Sequence, residues 1–277
     1  MKIKYPKYKI KQEIKKISSI DTTAEPIDTL YKSIDILLKG MWTPFYGGPF
    51  YEVWRARNGE YNHISELWYP PKEYVTKLGR MNIRGESMFY SCFGHNAKLG
   101  SLTEIRVKKG DRVTQLCCSL NQENKILKVL GLGHLDQWMK NKAPEHMQFH
   151  FHEYEKQLKK DCGNKLQYSK NQLLKDWVNS QFIKKVSEGE EHKYCYSIAI
   201  TKGYFNSFGC DGILYPSVAS NKKAVNLVLK PDIVDQYFKP KYVRIVEVID
   251  IRPEGIELKL KNESKTIAED GSIEWAW

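Results

Sequence analysis

The chain has 277 residues, of which 41% are hydrophobic and 28% charged, with a net charge of +11. Such a composition belongs to a globular protein of one large or two smaller domains and excludes a disordered or fibrous chain. No apolar run approaches the roughly 18 residues of a membrane span, and the alternating Lys and Ile at the N-terminus lack the continuous apolar stretch of a secretory signal.

The charge is concentrated at the start. Residues 1–16 carry seven lysines against the single Glu13, so +6 of the +11 lies there. A basic arm can grip nucleic acid or an acidic partner, but a solvated edge strand guarded by lysines is the simpler expectation. Ile20–Gly40 follows with an apolar stripe of Ile27, Leu30, Tyr31, Ile34, Leu37 and Leu38, a Pro26 suited to the first turn, and a stop at Gly40, which predicts a helix. Residues 41–71 are aromatic and turn-rich, with one good strand at Tyr51–Arg57. Strands are predicted at Met88–Phe93 and Arg112–Leu120, with a short helix near Ala97–Arg106 between them.

From Asn121 to Glu191 the spacing turns helical, as in "HLDQWMKN" and "NQLLKDWVNSQFIKKV". Strand vocabulary returns at "YCYSIAI", "DGILYPS", "AVNLVLK" and "YVRIVEVIDI". The order predicts an α+β protein: a basic arm and helix over residues 1–40, then a domain over 41–277 with mostly antiparallel sheets and a helical insertion at about 121–191. The absence of βαβ alternation argues against a doubly wound nucleotide fold.

Several motifs carry little chemistry. "HMQFHFH" offers His146, His150 and His152 but no Cys or carboxylate to complete a metal signature, so no metal is expected. "GLGH" at 131–134 reads as a turn. The six cysteines, at 92, 117, 118, 162, 195 and 210, show neither CxxC spacing nor an adjacent His; they read as reduced, buried thiols of a cytoplasmic protein.

What remains is a dispersed polar set at predicted strand ends: Arg55, Arg80, Tyr90, Glu104, Ser217 and Asn226. The segments that hold it, "VWRAR", "ELWYPP", "LGRMNIRGESMFYSC", "SLTEIRVKKGDRVTQL", "DGILYPSV" and "NLVLKP", resemble in wording and order the RES-domain family, named for its Arg, Glu and Ser. The resemblance covers roughly residues 50–120 and 208–250.

It implies an ADP-ribosyltransferase-like α+β fold and an enzyme that consumes NAD, usually a bacterial toxin silenced by an antitoxin protein. NAD would be the substrate, with phosphate as a possible co-substrate and no further cofactor. Glu104 would stabilise the oxocarbenium-like ribose formed as the nicotinamide bond breaks. Arg55 and Arg80 would hold the pyrophosphate by bidentate forks, and Tyr90 would stack on nicotinamide or ribose. Ser217 and Asn226 would donate to phosphate or ribose. Gly79 and Gly85 would let the backbone approach the ligand, to which Asn82 would add a contact. The leading expectation is an NAD glycohydrolase or phosphorylase. The alternatives are a protein mono-ADP-ribosyltransferase and, led by the lysine arm, a nucleic-acid-binding module, for which no reading motif is present.

Overall fold

The computed structural model describes residues 2–23, 27–43, 45–46, 50, 52–121, 125–135, 155–253 and 255–276. Its named helices are α1 (Lys7–Ser18), α2 (Ile27–Leu38), α3 (Ala97–Glu104), α4 (Lys165–Phe182), α5 (Cys195–Phe208) and α6 (Pro231–Tyr237). The strands are β1 (Phe45–Tyr46), β2 (Val53–Asn58), β3 (Phe89–Phe93), β4 (Arg112–Leu120), β5 (Val129–Gly131), β6 (Gly212–Pro216), β7 (Val225–Leu229), β8 (Phe238–Arg252), β9 (Gly255–Ile267) and β10 (Ile273–Trp275). The class is α+β. No described helix is long and apolar enough to cross a membrane.

The chain divides into two compact units, each discontinuous in sequence. The first comprises Met1–Tyr46, Thr76–Arg84 and Lys128–Tyr215; the second comprises Gly47–Val75, Gly85–Leu127 and Pro216–Trp277.

The first unit is mainly helical. The basic arm is a helix rather than an edge strand: α1 buries Ile10 and Ile17, seven positions apart on one stripe, and leaves its lysines exposed. Lys15 and Lys16 fall in its last turn, where cations suit the helix dipole. Its end is fastened by Tyr196, whose hydroxyl reaches the carbonyls of Ile17 and Ile20 at 3.0 and 3.2 Å. Asn164 caps α4 by accepting from the Gln167 N–H at 2.9 Å. The predicted helical block is not wholly helical, because β5 lies within it and pairs parallel with β6. The "YCYSIAI" segment is α5, not a strand. Residues 195–201 are all buried, so the first half of the helix has no exposed face and no amphipathic stripe to reveal it. Gly209, left-handed at φ 59°, stops it.

The second unit is an antiparallel sheet in the order β7-β3-β2-β4-β8-β9-β10. All five residues of β7 are buried. α3 packs on one face, over a cluster of Trp54, Cys92, Ala97 and Cys117. The packing requires Gly100, since a Cβ there would lie 2.5 Å from the Ala224 Cβ and 3.2 Å from the Cys92 Sγ. Gln115 anchors the same helix from β4: its Nε2 donates to the Lys98 carbonyl and to the Ser101 hydroxyl, both at 2.8 Å.

Because the neighbour on one side is the Cβ of a buried Ala224, the overlap at residue 100 cannot be relieved by a flexible side chain. Gly100→Ala is therefore expected to lower the unfolding free energy by about 1–3 kcal/mol, read by chemical denaturation; an unchanged midpoint would show that α3 sits less tightly on the sheet.

Candidate functional site

Glu104 is the last residue of α3. Its Oε1 accepts from the Ser217 hydroxyl at 2.6 Å and from the Asn226 Nδ2 at 2.7 Å. The helix ends there because Arg106 turns left-handed, at φ 54°. Ser217 follows β6, where its Oγ also accepts from the Ser220 N–H at 3.0 Å. Asn226 stands on β7 directly opposite Cys92 on β3. Its Oδ1 accepts from the Cys92 thiol at 3.2 Å. Burial, and then the Glu104 carboxylate, push the Cys92 thiol well up, so it stays protonated, the form that can donate.

This is a directed chain of hydrogen bonds: Cys92 to Asn226, then Asn226 and Ser217 to Glu104. Ser217 and Asn226 are fully buried, whereas Glu104 is exposed. Among the described residues no group donates to Oε2. The arrangement presents one oxygen of an oriented carboxylate that pairs with no cation among the described residues. The donors of Ser217 and Asn226, expected to reach phosphate or ribose, point at Glu104.

The arginines are placed otherwise. Trp54 pairs with Cys92, and Cys92 with Asn226, so these three side chains share one face of the sheet. Arg55, the next residue on β2, points to the other face, and its guanidinium lies 5.6 Å from the Phe89 ring centroid. Its Nε donates to the Leu67 carbonyl at 2.9 Å and its Nη1 to the Tyr90 carbonyl at 2.8 Å. Burial, with Arg57 adding to it, pushes Arg55 down to about 10, so it is cationic at neutral pH. Among the described residues no carboxylate pairs with it. Arg57, on the same face, donates to the Glu66 carbonyl. The sheet therefore brings Glu104, Ser217 and Asn226 together and puts Arg55 on the opposite side. Tyr90 shares the Cys92 face by alternation, while its link to Arg55 runs through its main chain.

Arg80 and Asn82 belong to the first unit. Arg80 donates to the carbonyls of Phe182 and Lys184 at 3.2 Å, just past the end of α4. Its guanidinium lies 4.8 Å from the Tyr194 ring centroid and 5.7 Å from that of Tyr215. Asn82 is buried, and its Nδ2 donates to the Ile83 carbonyl at 3.0 Å. Gly85 sits at φ 76° with open space where a Cβ would be, so its requirement is conformational. Also in the first unit is a cavity of about 280 Å³ lined by Trp42, Asp161, Cys162 and Asn171 among others. It includes none of the sequence-predicted site residues.

Among the described residues no cluster of three His, Cys, Asp or Glu could hold a metal; His146, His150 and His152 lie outside the described residues. Sequence reading overlooked Cys92 as the outermost donor of the Glu104 chain. Its signal was available, since "YSC" places it two residues from Tyr90 on a strand. The chain matches no protein-family model, and no curated protein matches it at significance.

Arg80 spans two carbonyls and stacks on tyrosine, which a lysine cannot reproduce. Arg80→Lys is expected to lower the unfolding free energy by about 1.5 kcal/mol or more, the scale of a hydrogen bond to a charged group. Equilibrium denaturation of the purified variant checks it, and wild-type stability would show that the fork is not structural.

Proposed function

We propose that the chain is an NAD-consuming enzyme of ADP-ribosyltransferase-like fold that breaks the bond between nicotinamide and ribose. One observation carries the reading: Glu104, Ser217 and Asn226, drawn from three separated segments that resemble RES-domain motifs, form one hydrogen-bonded carboxylate group. Breaking this bond builds positive charge on the ribose ring, and an oriented carboxylate stabilises that charge. The nicotinamide ring is already cationic in NAD and leaves neutral, so no general acid has to protonate it. The mechanism asks of the protein orientation and negative charge, both of which Glu104 supplies.

Ser217 and Asn226 have a part that differs from binding substrate. As neutral donors on one oxygen they fix the carboxylate plane and leave its charge in place, where an arginine or lysine partner would compensate it. Tyr90, on the Cys92 face, would stack on the nicotinamide or ribose. Water or phosphate would take the ribosyl group. Such an activity would deplete the NAD of the cell that makes it, which calls for a neutralising protein partner and fits a cytoplasmic setting.

Incubation with NAD, with and without phosphate, tests the reading. Release of nicotinamide with ADP-ribose marks hydrolysis, and release with a phosphorylated ADP-ribose marks phosphorolysis. Glu104→Gln keeps one oxygen that can accept from both Ser217 and Asn226 but loses the charge, so turnover should fall by roughly 100-fold or more. The KM for NAD should move far less, because the charge on ribose develops in the transition state. A Gln variant with full turnover would take Glu104 out of the mechanism.

A further inference from the structure

The "ELWYPP" segment is fastened at successive residues, more densely than packing of a surface loop requires. Arg57 donates to the Glu66 carbonyl and Arg55 to that of Leu67 at 2.9 Å. The Trp68 indole N–H donates to Asp235 Oδ1 at 2.9 Å, and the Tyr69 hydroxyl to Oδ2 of the same carboxylate at 2.6 Å. The Pro70 carbonyl accepts from the Ser87 hydroxyl at 2.6 Å. Trp68 also packs against Phe89, at 5.4 Å between centroids.

These contacts have a common consequence. Pro70 and Ser87 flank the excursion that contains Arg80 and Asn82. Farther in, the Gly85 N–H donates to the Val75 carbonyl at 2.9 Å. Two hydrogen bonds thus close the neck of that excursion, and the outer one hangs from the segment that Asp235 grips. Asp235 itself lies on α6, which opens with Pro231 at its first turn and buries Ile233 and Val234. α6 continues directly from β7, the strand that carries Asn226. The carboxylate therefore joins the strand that orients Glu104 to the neck of the Arg80 excursion.

We propose that Asp235 is a positioning residue: it latches the Trp68–Tyr69 pair and through it holds the neck closed by Pro70–Ser87 and Val75–Gly85 against the helix that continues from the strand that orients Glu104. Asp235 is exposed and touches none of the Glu104 group, so its effect is indirect. The chemistry of the two donors makes the latch one of geometry rather than charge. Indole N–H can only donate, so it needs an acceptor. A tyrosine hydroxyl can donate or accept. An asparagine at 235 could accept from Trp68 through Oδ1 and donate to Tyr69 through Nδ2, keeping both bonds; an alanine keeps neither.

The activity arm of the test rests on the NAD reading, and the exchange arm does not. Asp235→Ala and Asp235→Asn would each be compared with wild type by hydrogen–deuterium exchange on the full chain. In the Ala variant, exchange should rise at residues 66–70 and 85–88 ahead of the rest of the protein, while the Asn variant should match wild type. A neck loosened by about one residue adds that residue's ordering to the binding step, so the KM for NAD should rise roughly tenfold in the Ala variant with kcat within about threefold. The Asn variant should stay within about twofold of wild type in both.

The latch is overturned if the folded Ala variant shows unchanged exchange at the neck, or a rise spread evenly over the chain. It is also overturned if Asn is as damaging as Ala, since charge would then matter rather than geometry. A normal KM with altered neck exchange would overturn its connection to substrate. Should wild type not cleave NAD, the proposed activity falls, and the exchange pattern alone decides whether Asp235 holds the neck.

Discussion

A carboxylate held by neutral donors is the feature on which the candidate site depends. Glu104 receives Ser217 and Asn226 on one oxygen, and Asn226 in turn receives Cys92. Each donor polarises the next bond in the same direction, which strengthens the chain beyond its separate links. None of these partners is a cation. A salt bridge would have fixed the carboxylate as firmly and reduced its field toward an approaching ligand. That contrast accounts for the use of an amide, a hydroxyl and a thiol where lysines are abundant elsewhere in the chain.

Holding Glu104 so places demands on the whole second unit. α3 must approach β3 and β7 closely enough for a helix-end side chain to reach Asn226, which is why Gly100 faces Ala224 and Cys92. Gln115 holds the opposite end of the helix while its Oε1 accepts two bonds from Arg244, at 3.0 and 2.7 Å. Both of its amide termini are thereby satisfied in a fully buried position. The register of β3 with β7 sets Cys92 opposite Asn226. A slip of one residue would turn Asn226 to the other face and dissolve the group.

How much of this was legible depends on the kind of signal. The strands β3, β4, β7 and β8 and the helix α3 were readable from alternation and turn residues. The Glu104, Ser217 and Asn226 set was readable only as ordered motif wording, because spacing cannot show that residues over 100 positions apart converge. α5 was misread because its first seven residues are all buried and give the same apolar run as a buried strand; Gly209 was the usable clue. α1 was misread because its stripe is two isoleucines wide and lysine dominates the composition. That Ser217 and Asn226 donate to Glu104 was not legible for a different reason. A hydroxyl and an amide can serve a ligand or another side chain equally well, and only coordinates tell which.

Arg55 shows where period-two alternation decides an argument that composition leaves open. Arginine beside an aromatic strand invites a phosphate-binding role, yet Trp54 faces Cys92 and Asn226, so its neighbour must face away. On that other face Arg55 and Arg57 both serve main-chain carbonyls of the segment 66–67. A turn leaves such carbonyls without strand partners, and a guanidinium supplies donors to them. The Arg55 cation in this position supports a loop. The two faces of one sheet then divide the labour: the α3 face holds the carboxylate, and the Arg55 face holds the segment from which the Arg80 excursion departs.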